Sequence, residues 1–467
     1  MSKTTFLLAL ALSLVVFGLQ ARTFEVAAWR GETVAARVPD FAELGATSEG
    51  LIIRHGVLRS VKVAPSIESL QRQEIYDRVT WTGAERSVEG PRVVEVSVPP
   101  DAKPGLYRCG MMTVRVVDRV LPPPKEWKYY LDLWQHPWAT ARFAGVKPFS
   151  KEHYAVMRPV YELLASAGQK TITVSILDQP WDHQCFDAYH SMVDDADFRT
   201  FDDYVQFCLD CGLGPNICCY SLCPWTLGKE IAADALEARW GKFLDRFAAH
   251  LKTKDWFAQT LMAMDERKPE DVKTVVDFVH RHAPGLRISM AGNCKPSAFA
   301  GIDIDVYSQI LSYVTDEFLS EVAARRAKGF VTTHYVCCWP EYPNTFLSSG
   351  PGQAFWLGAY PAMVGLDGFL RWAWNSWPQN PVVDATYWAW PAGDTFLCYP
   401  GGEPSWRFLE LRNGIVAAEK VRLLKERGLF TDELKEVAAL YKAAEATAGT
   451  SNFVQIRQAT LTVVNKE

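Results

Sequence analysis

From Trp127 onward the chain alternates short apolar runs with amphipathic stretches, and this rhythm limits the possible fold more than any other feature. Runs at Trp127–Leu133, Lys170–Leu177, Gly214–Ser221, Phe257–Met264, Leu286–Ala291, Asp303–Gln309, Gly329–Cys338 and Leu366–Trp374 read as strands. Between them Lys151–Ala167, Phe198–Cys211, Ala232–Leu251 and Glu270–His282 repeat apolar side chains at helical spacing. Apolar strands separated by helices pair in parallel, with helices covering the sheet. Eight of them over about 250 residues fit an α/β fold of the (β/α)8 TIM barrel type.

Residues 22–120 have a different texture. Short alternating runs such as Val93-Val94-Glu95-Val96-Ser97-Val98 and Met112-Thr113-Val114-Arg115-Val116-Val117 are broken by Pro99-Pro100-Asp101 and Lys103-Pro104-Gly105. That spacing predicts a small β-sandwich domain preceding the barrel. Leu121-Pro122-Pro123-Pro124-Lys125 makes residues 121–126 a stiff linker. The barrel and its C-terminal helices, the last over Ser405–Ala446, take 127–446. The tail 447–467 carries a candidate terminal strand at Gln455–Val464.

Residues 1–21 read as a cleavable signal peptide, with Lys3 ahead of the apolar run Phe6–Phe17 and a Leu19-Gln20-Ala21 cleavage site. With no cysteine near that site, the reading is a periplasmic or secreted protein without a lipid anchor. No other segment is long and apolar enough to span a membrane. A formal net charge of −5 leaves no footprint for nucleic acid. Eleven cysteines cannot all pair within one chain. Cys208-Leu-Asp-Cys211 has metal-ligand spacing, but its apolar neighbours favour small buried hydrophobes, and no metal or cofactor is expected.

In such a barrel the reactive groups stand where the strands end. The first strand is followed by Trp134, the second by Asp178 and His183, the fifth by Asn293. The sixth holds Tyr307, and the seventh leads to Tyr335 and Trp339. The eighth holds Asp367, either a contact for sugar hydroxyls or a buried structural partner, and runs into Trp372, Trp374 and Asn375. Amides, hydroxyls, carboxylates and indoles in one ring suit an uncharged, hydroxyl-rich ligand, and the seventeen tryptophans offer flat faces for sugar rings. At the end of the fourth strand, Asp265 and Glu266 follow the apolar run Thr260–Met264. Two close carboxylates push their pKa values apart, so one keeps a proton while the other is ionised. A rim ion pair with Arg267 or Lys268 is the alternative reading of those residues.

Trp339-Pro340-Glu341-Tyr342-Pro343-Asn344-Thr345-Phe346, Phe355-Trp356-Leu357-Gly358 and the stretch Gly368–Trp377 come next, followed by Tyr399-Pro400-Gly401 and the stretch Ser405–Gly414. With these motifs, the chain from Trp127 to about Leu424 resembles family-123 glycoside hydrolases. The resemblance implies an exo-acting β-N-acetylgalactosaminidase, with Asp265 and Glu266 as the catalytic pair. It implies retention assisted by the substrate, in which Glu266 is acid and then base. Asp265 would orient the 2-acetamido group of a terminal sugar, with Tyr335 or Tyr307 hydrogen-bonding that group and Trp372 and Trp374 walling the pocket. The partner it implies is a glycan or glycoconjugate.

Two alternatives stay open. Glu266 with Glu341, beyond the seventh strand, would make a conventional double-displacement pair about 5 Å apart. A barrel that binds sugar without turnover is the other. His136, His183 and His334 lack paired ligand spacing and read as single hydrogen-bonding groups.

Overall fold

A computed structural model describes residues 24–39, 44, 50–63, 73–83, 89–176, 197–220, 234, 236–387, 390–446 and 452–467. The signal-like segment and the candidates Asp178 and His183 lie outside the described residues. Among the described residues, no helix is long and apolar enough to cross a membrane.

The chain separates into two compact units, Met1–Val57 with Trp81–Leu121 and Asn465–Glu467, and Leu58–Thr80 with Pro122–Val464. The N-terminal strands are β1 (Phe24–Arg30), β2 (Thr33–Arg37), β3 (Ile52–Val63), β4 (Gln73–Trp81), β5 (Arg92–Ser97), β6 (Gly105–Cys109) and β7 (Met112–Val120). They form a three-stranded sheet, β1-β7-β6, and a four-stranded sheet, β2-β5-β3-β4. Val26, Ala28, Val94, Val96, Val114 and Val116 alternate along β1, β5 and β7 into one apolar core, as period-two patterning requires. The second half of β3 and all of β4 but Trp81 group with the second unit. There Asp77 accepts from Arg407 at 3.0 Å and from the Tyr399 hydroxyl at 2.7 Å, all three buried.

The second unit is the barrel. Its strands are β8 (Tyr130–Leu133), β9 (Thr171–Ser175), β10 (Asn216–Tyr220), β11 (Thr260–Asp265), β12 (Arg287–Gly292), β13 (Val306–Ile310), β14 (Val331–Tyr335) and β15 (Gly368–Arg371). All eight fall within or beside the runs read from the sequence. They hydrogen-bond in parallel in the order β8-β15-β14-β13-β12-β11-β10-β9. Gly368 is obligatory where β15 meets β8, since a Cβ there would sit 1.9 Å from the Tyr130 carbonyl oxygen.

The eighth seam, between β8 and β9, closes through side chains. Gln169 accepts from Leu133 N at 3.0 Å and donates to Thr171 O at 2.9 Å. Gln135 accepts from Thr173 N at 2.8 Å. One backbone bond, Lys170 N to Leu131 O at 2.9 Å, supports them.

Helices follow where expected, at Lys151–Ala165, Arg199–Asp210, Lys242–Thr253 and Pro269–His282. The long C-terminal segment is two helices, Trp406–Glu426 and Thr431–Ala446. The tail corrects the sequence reading, because Phe453–Val464 is a helix and not a strand. Its Val, Ile and Thr content imitates a strand, yet the buried residues Phe453, Ile456, Thr460 and Val464 recur every three or four positions. Thr460 meets the Tyr441 hydroxyl at 3.0 Å across that face.

Candidate active site

Within the barrel, alternation decides which side chains reach the lumen. Tyr130, Cys218, Tyr220, Leu261, Ala263, Ala291, Val306, Ile310, Tyr335 and Leu370 pack together there. Leu261 and Ala263 set the register, so Asp265, the last residue of β11, also points inward. Glu266 should then turn outward. Instead it takes φ 46°, the left-handed region that a residue with a Cβ seldom adopts. This turn breaks the alternation at the rim while Glu266 N still donates to Ala291 O at 2.8 Å. The lumen-facing Tyr335, from the end of β14, donates its hydroxyl to Glu266 Oε1 at 2.5 Å. Local strain of this kind persists where the surrounding structure imposes it, and it concentrates at functional sites.

The two acids differ in surroundings. Asp265 is half-buried and Glu266 exposed. The Asp265 carboxyl is pushed up to about 7, chiefly by burial and then by the neighbouring Glu266, with Arg267 opposing both. Deeper in the lumen, Asp132 accepts from the Thr171 hydroxyl. Burial raises it to about 6. Removing the Tyr335 hydroxyl, which fixes Glu266, should matter: Tyr335→Phe is expected to lower kcat roughly tenfold or more, the worth of a hydrogen bond to a charged group. An unchanged kcat on an alkyl glycoside would show that the hydroxyl is idle.

Around the pair, Trp372 is half-buried and Trp339 is 48% exposed. Trp372 Nε1 donates to Asp394 Oδ2 at 3.2 Å, and its ring lies 5.5 Å from Trp390 and 6.4 Å from His136. Asn293 is exposed just beyond β12. Trp134, 1% exposed, packs its ring 4.5 Å from Tyr220 inside the lumen. It fills the barrel rather than walling an open pocket.

Other candidates have different places. Tyr307 faces away from the lumen, between the inward Val306 and Ser308, packs on Phe299 at 5.8 Å and donates to the Cys294 carbonyl. Asp367 precedes β15 at the opposite end of the barrel, where it accepts from Thr332 N and Arg326, each at 2.7 Å. Trp374 is fully buried against Phe408, with rings 4.7 Å apart. Asn375 is buried and pins the loop after β8, accepting from His136 N at 2.9 Å and donating to His136 O at 3.0 Å. Tyr307 and Asp367 are thus placed away from the acids, and Trp374 and Asn375 are closed off from solvent. His334 also faces outward, and burial lowers it to about 3. His136 is lowered to about 4 by the same cause. Among the described residues, no group of three or more His, Cys, Asp or Glu is placed to hold a metal ion. Cys208 and Cys211 are buried free thiols.

One network escaped the sequence reading. Arg371 and Asp394, both completely buried, pair at 2.7 Å. Burial lifts Asp394 to about 6 even though Arg371 opposes it. Arg371 also donates to Val336 O at 3.3 Å and Asn344 Oδ1 at 3.1 Å, so the ion pair holds both Trp372 and the loop after β14. Asp394 sits in an aperiodic loop, and nothing local in the sequence marks it.

A (β/α)8 barrel with adjacent carboxylates ending its fourth strand and indoles around the mouth is built as a glycoside hydrolase. The family model described as glycoside hydrolase 123, catalytic domain, matches residues 134–424. The chain belongs to glycoside hydrolase family 123 and is a glycosidase. Among solved structures, a family 123 glycoside hydrolase from Clostridium perfringens, studied for glycolipid glycan hydrolysis, superposes with a TM-score of 0.79 at 22% identity. The match covers 97% of this chain and 93% of that one. A β-galactosidase from the psychrophilic Marinomonas ef1 reaches 0.37 at 11% identity over 66% and 61%. The family 53 catalytic domain of Ignisphaera aggregans reaches 0.36 at 14% over 64% and 99%. No curated protein sequence matches the chain.

Proposed function

We propose that this glycosidase is exported and removes terminal β-linked N-acetylgalactosamine from glycans by a retaining, substrate-assisted mechanism. The observation that carries this reading is the contrast within one dipeptide. Asp265 is half-buried at the lumen's edge, and Glu266 is exposed beside it with its carboxylate steadied by the Tyr335 hydroxyl. Glu266 gives its proton to the glycosidic oxygen as the C1–O bond breaks. The carbonyl oxygen of the sugar's own acetamido group bonds to C1 from the opposite face, forming an oxazolinium ion. Asp265 accepts the amide N–H, which favours its ionised form in the complex although burial favours the protonated form without substrate. That bond strengthens as positive charge develops on the amide. Water then attacks C1, Glu266 takes its proton, the C1–O(acyl) bond breaks, and the β configuration is restored. The protein itself supplies no nucleophile, unlike the usual two-carboxylate scheme. Glu341 is exposed in the loop beyond β14.

The acetamido group is therefore indispensable. 4-Nitrophenyl N-acetyl-β-D-galactosaminide should be hydrolysed and the matching galactoside should not. A thiazoline mimic of the oxazoline should inhibit, and an activated fluorosugar should leave no adduct. Comparable rates on both substrates, or an adduct on Glu341, would replace this reading with double displacement.

A further inference from the structure

Just past the end of β14 at Tyr335, two cysteines stand side by side, Cys337 and Cys338. Both are free thiols, Cys337 half-buried and Cys338 exposed. The proposed hydrolysis uses neither. Along a strand, neighbouring side chains point to opposite faces, which keeps adjacent sulfurs apart. Cys218 and Cys219 are in that position, buried within β10, with Cys218 in the lumen core. At Cys337 and Cys338 the strand has ended and the backbone bends. There the two thiols come within hydrogen-bond reach of each other.

Their surroundings make the two sulfurs unequal. The Cys337 thiol has two acceptors, Trp339 O at 3.4 Å and the Cys338 sulfur. Donation from Cys337 holds the Cys338 thiol below the usual thiol range, and the same bond, with burial, holds Cys337 above it. The thiolate is the nucleophile in disulfide exchange, so the solvent-facing Cys338 reacts first. The partner sulfur is kept beside it by the backbone. Cys337 N donates to Trp339 O at 3.1 Å, and Asn344 Nδ2 donates to Cys337 O at 2.9 Å. Arg371, paired with Asp394, holds Asn344 in turn.

We infer that Cys337 and Cys338 form a reversible vicinal disulfide at the mouth of the barrel, made by exchange with a small disulfide such as oxidised glutathione. The Cys338 thiolate attacks one sulfur of the small disulfide, expels a thiolate and leaves a mixed disulfide. Cys337 then gives up its proton and attacks Cys338 Sγ, expelling the second thiolate. Two protein thiols are oxidised, the small disulfide is reduced to two thiols, and the protons pass to the expelled sulfurs. Neighbouring Cα atoms are only about 3.8 Å apart, closer than the roughly 4.4–6.8 Å usual across a disulfide. Strain of that kind makes the bond easy to reduce, so the pair opens and closes and is no permanent staple. The inference does not depend on which sugar the enzyme removes.

The sequence makes the test clean. Trypsin cuts after Lys328 and after Arg371 with no Lys or Arg between them, and the peptide 329–371 contains no other cysteine. A bond between Cys337 and Cys338 therefore leaves that peptide two hydrogens lighter and unreactive to iodoacetamide. The native full-length enzyme, reduced and then exposed to oxidised glutathione, should yield this product, and excess reduced glutathione should reopen it. Cys337→Ser should stop at a glutathione adduct on Cys338. Cys338→Ser should take up glutathione at Cys337 about tenfold more slowly, or less, because the remaining thiol is half-buried and holds its proton. Two thiols still open to iodoacetamide in the wild type, a glutathione adduct that persists there, or a Cys338→Ser variant as fast as Cys337→Ser would each overturn the inference.

Discussion

Glu266→Gln is expected to slow hydrolysis of an alkyl N-acetyl-β-galactosaminide by about a thousandfold, within the range for loss of a positioned general acid. The same variant should lose far less on a 2,4-dinitrophenyl glycoside, whose phenolate departs without a proton. The physical ground is specific. Glutamine preserves the shape of the side chain and can still accept from Tyr335, so the 2.5 Å contact survives while the transferable proton does not. Rates plotted against leaving-group acidity should therefore steepen in the variant. A parallel loss on both leaving groups would show that Glu266 positions the sugar and does not protonate the departing oxygen.

Asp265→Asn should act in two opposite directions. Activity should fall by about a hundred- to a thousandfold, the scale for removing one charge-stabilising group from a transition state. Stability should rise. The Asp265 carboxyl goes from an ordinary 3.8 to about 7, chiefly through burial and then through Glu266. A carboxyl raised by folding favours the protonated folded state. Its contribution is fully present below pH 4 and is lost as pH rises through 7. The gap sets an upper bound of roughly 4 kcal/mol above pH 7. Because the side chain is only half-buried, water offsets part of it, and about 1–2 kcal/mol is the expected gain in the variant. Denaturant unfolding at pH 8 and at pH 4 measures this, and the difference between variant and wild type should vanish at the lower pH. Equal stabilities at pH 8 would mean that Asp265 carries no desolvation cost.

The sequence discloses the barrel well because strands covered on both sides are continuous apolar runs, and each of the eight such runs became a strand. The acidic pair was equally legible, since an apolar run that stops at two carboxylates carries them to the rim of the barrel. Direction was harder to read. Tyr307 and Tyr335 look alike in the chain, but only the register of their strands sends one outward to Phe299 and the other inward to Glu266. Asp367 takes the structural one of its two readings, and its place at the start of the run Leu366–Trp374 already set it at the end of the barrel away from the acids. Trp374 and Asn375 lie just past Trp372, and the chain turns into the core between them. Long-range partners left no local trace at all. Asp394 meets Arg371 across 23 positions, and Asp77 meets Arg407 across 330. The second pairing, with Arg78 and Thr80 on Glu403, ties β4 to the C-terminal part of the chain.

Seven junctions in the ring are backbone ladders, which accept almost any side chain that fits. The junction between β8 and β9 is of another kind, because Gln135 and Gln169 supply its amide groups from their own side chains. A glutamate at position 169 could not donate to the Thr171 carbonyl, and an asparagine would be one methylene too short. Over evolutionary time these two positions should therefore drift less than their neighbours, and a relative that has lost them must have found another way to complete the circle.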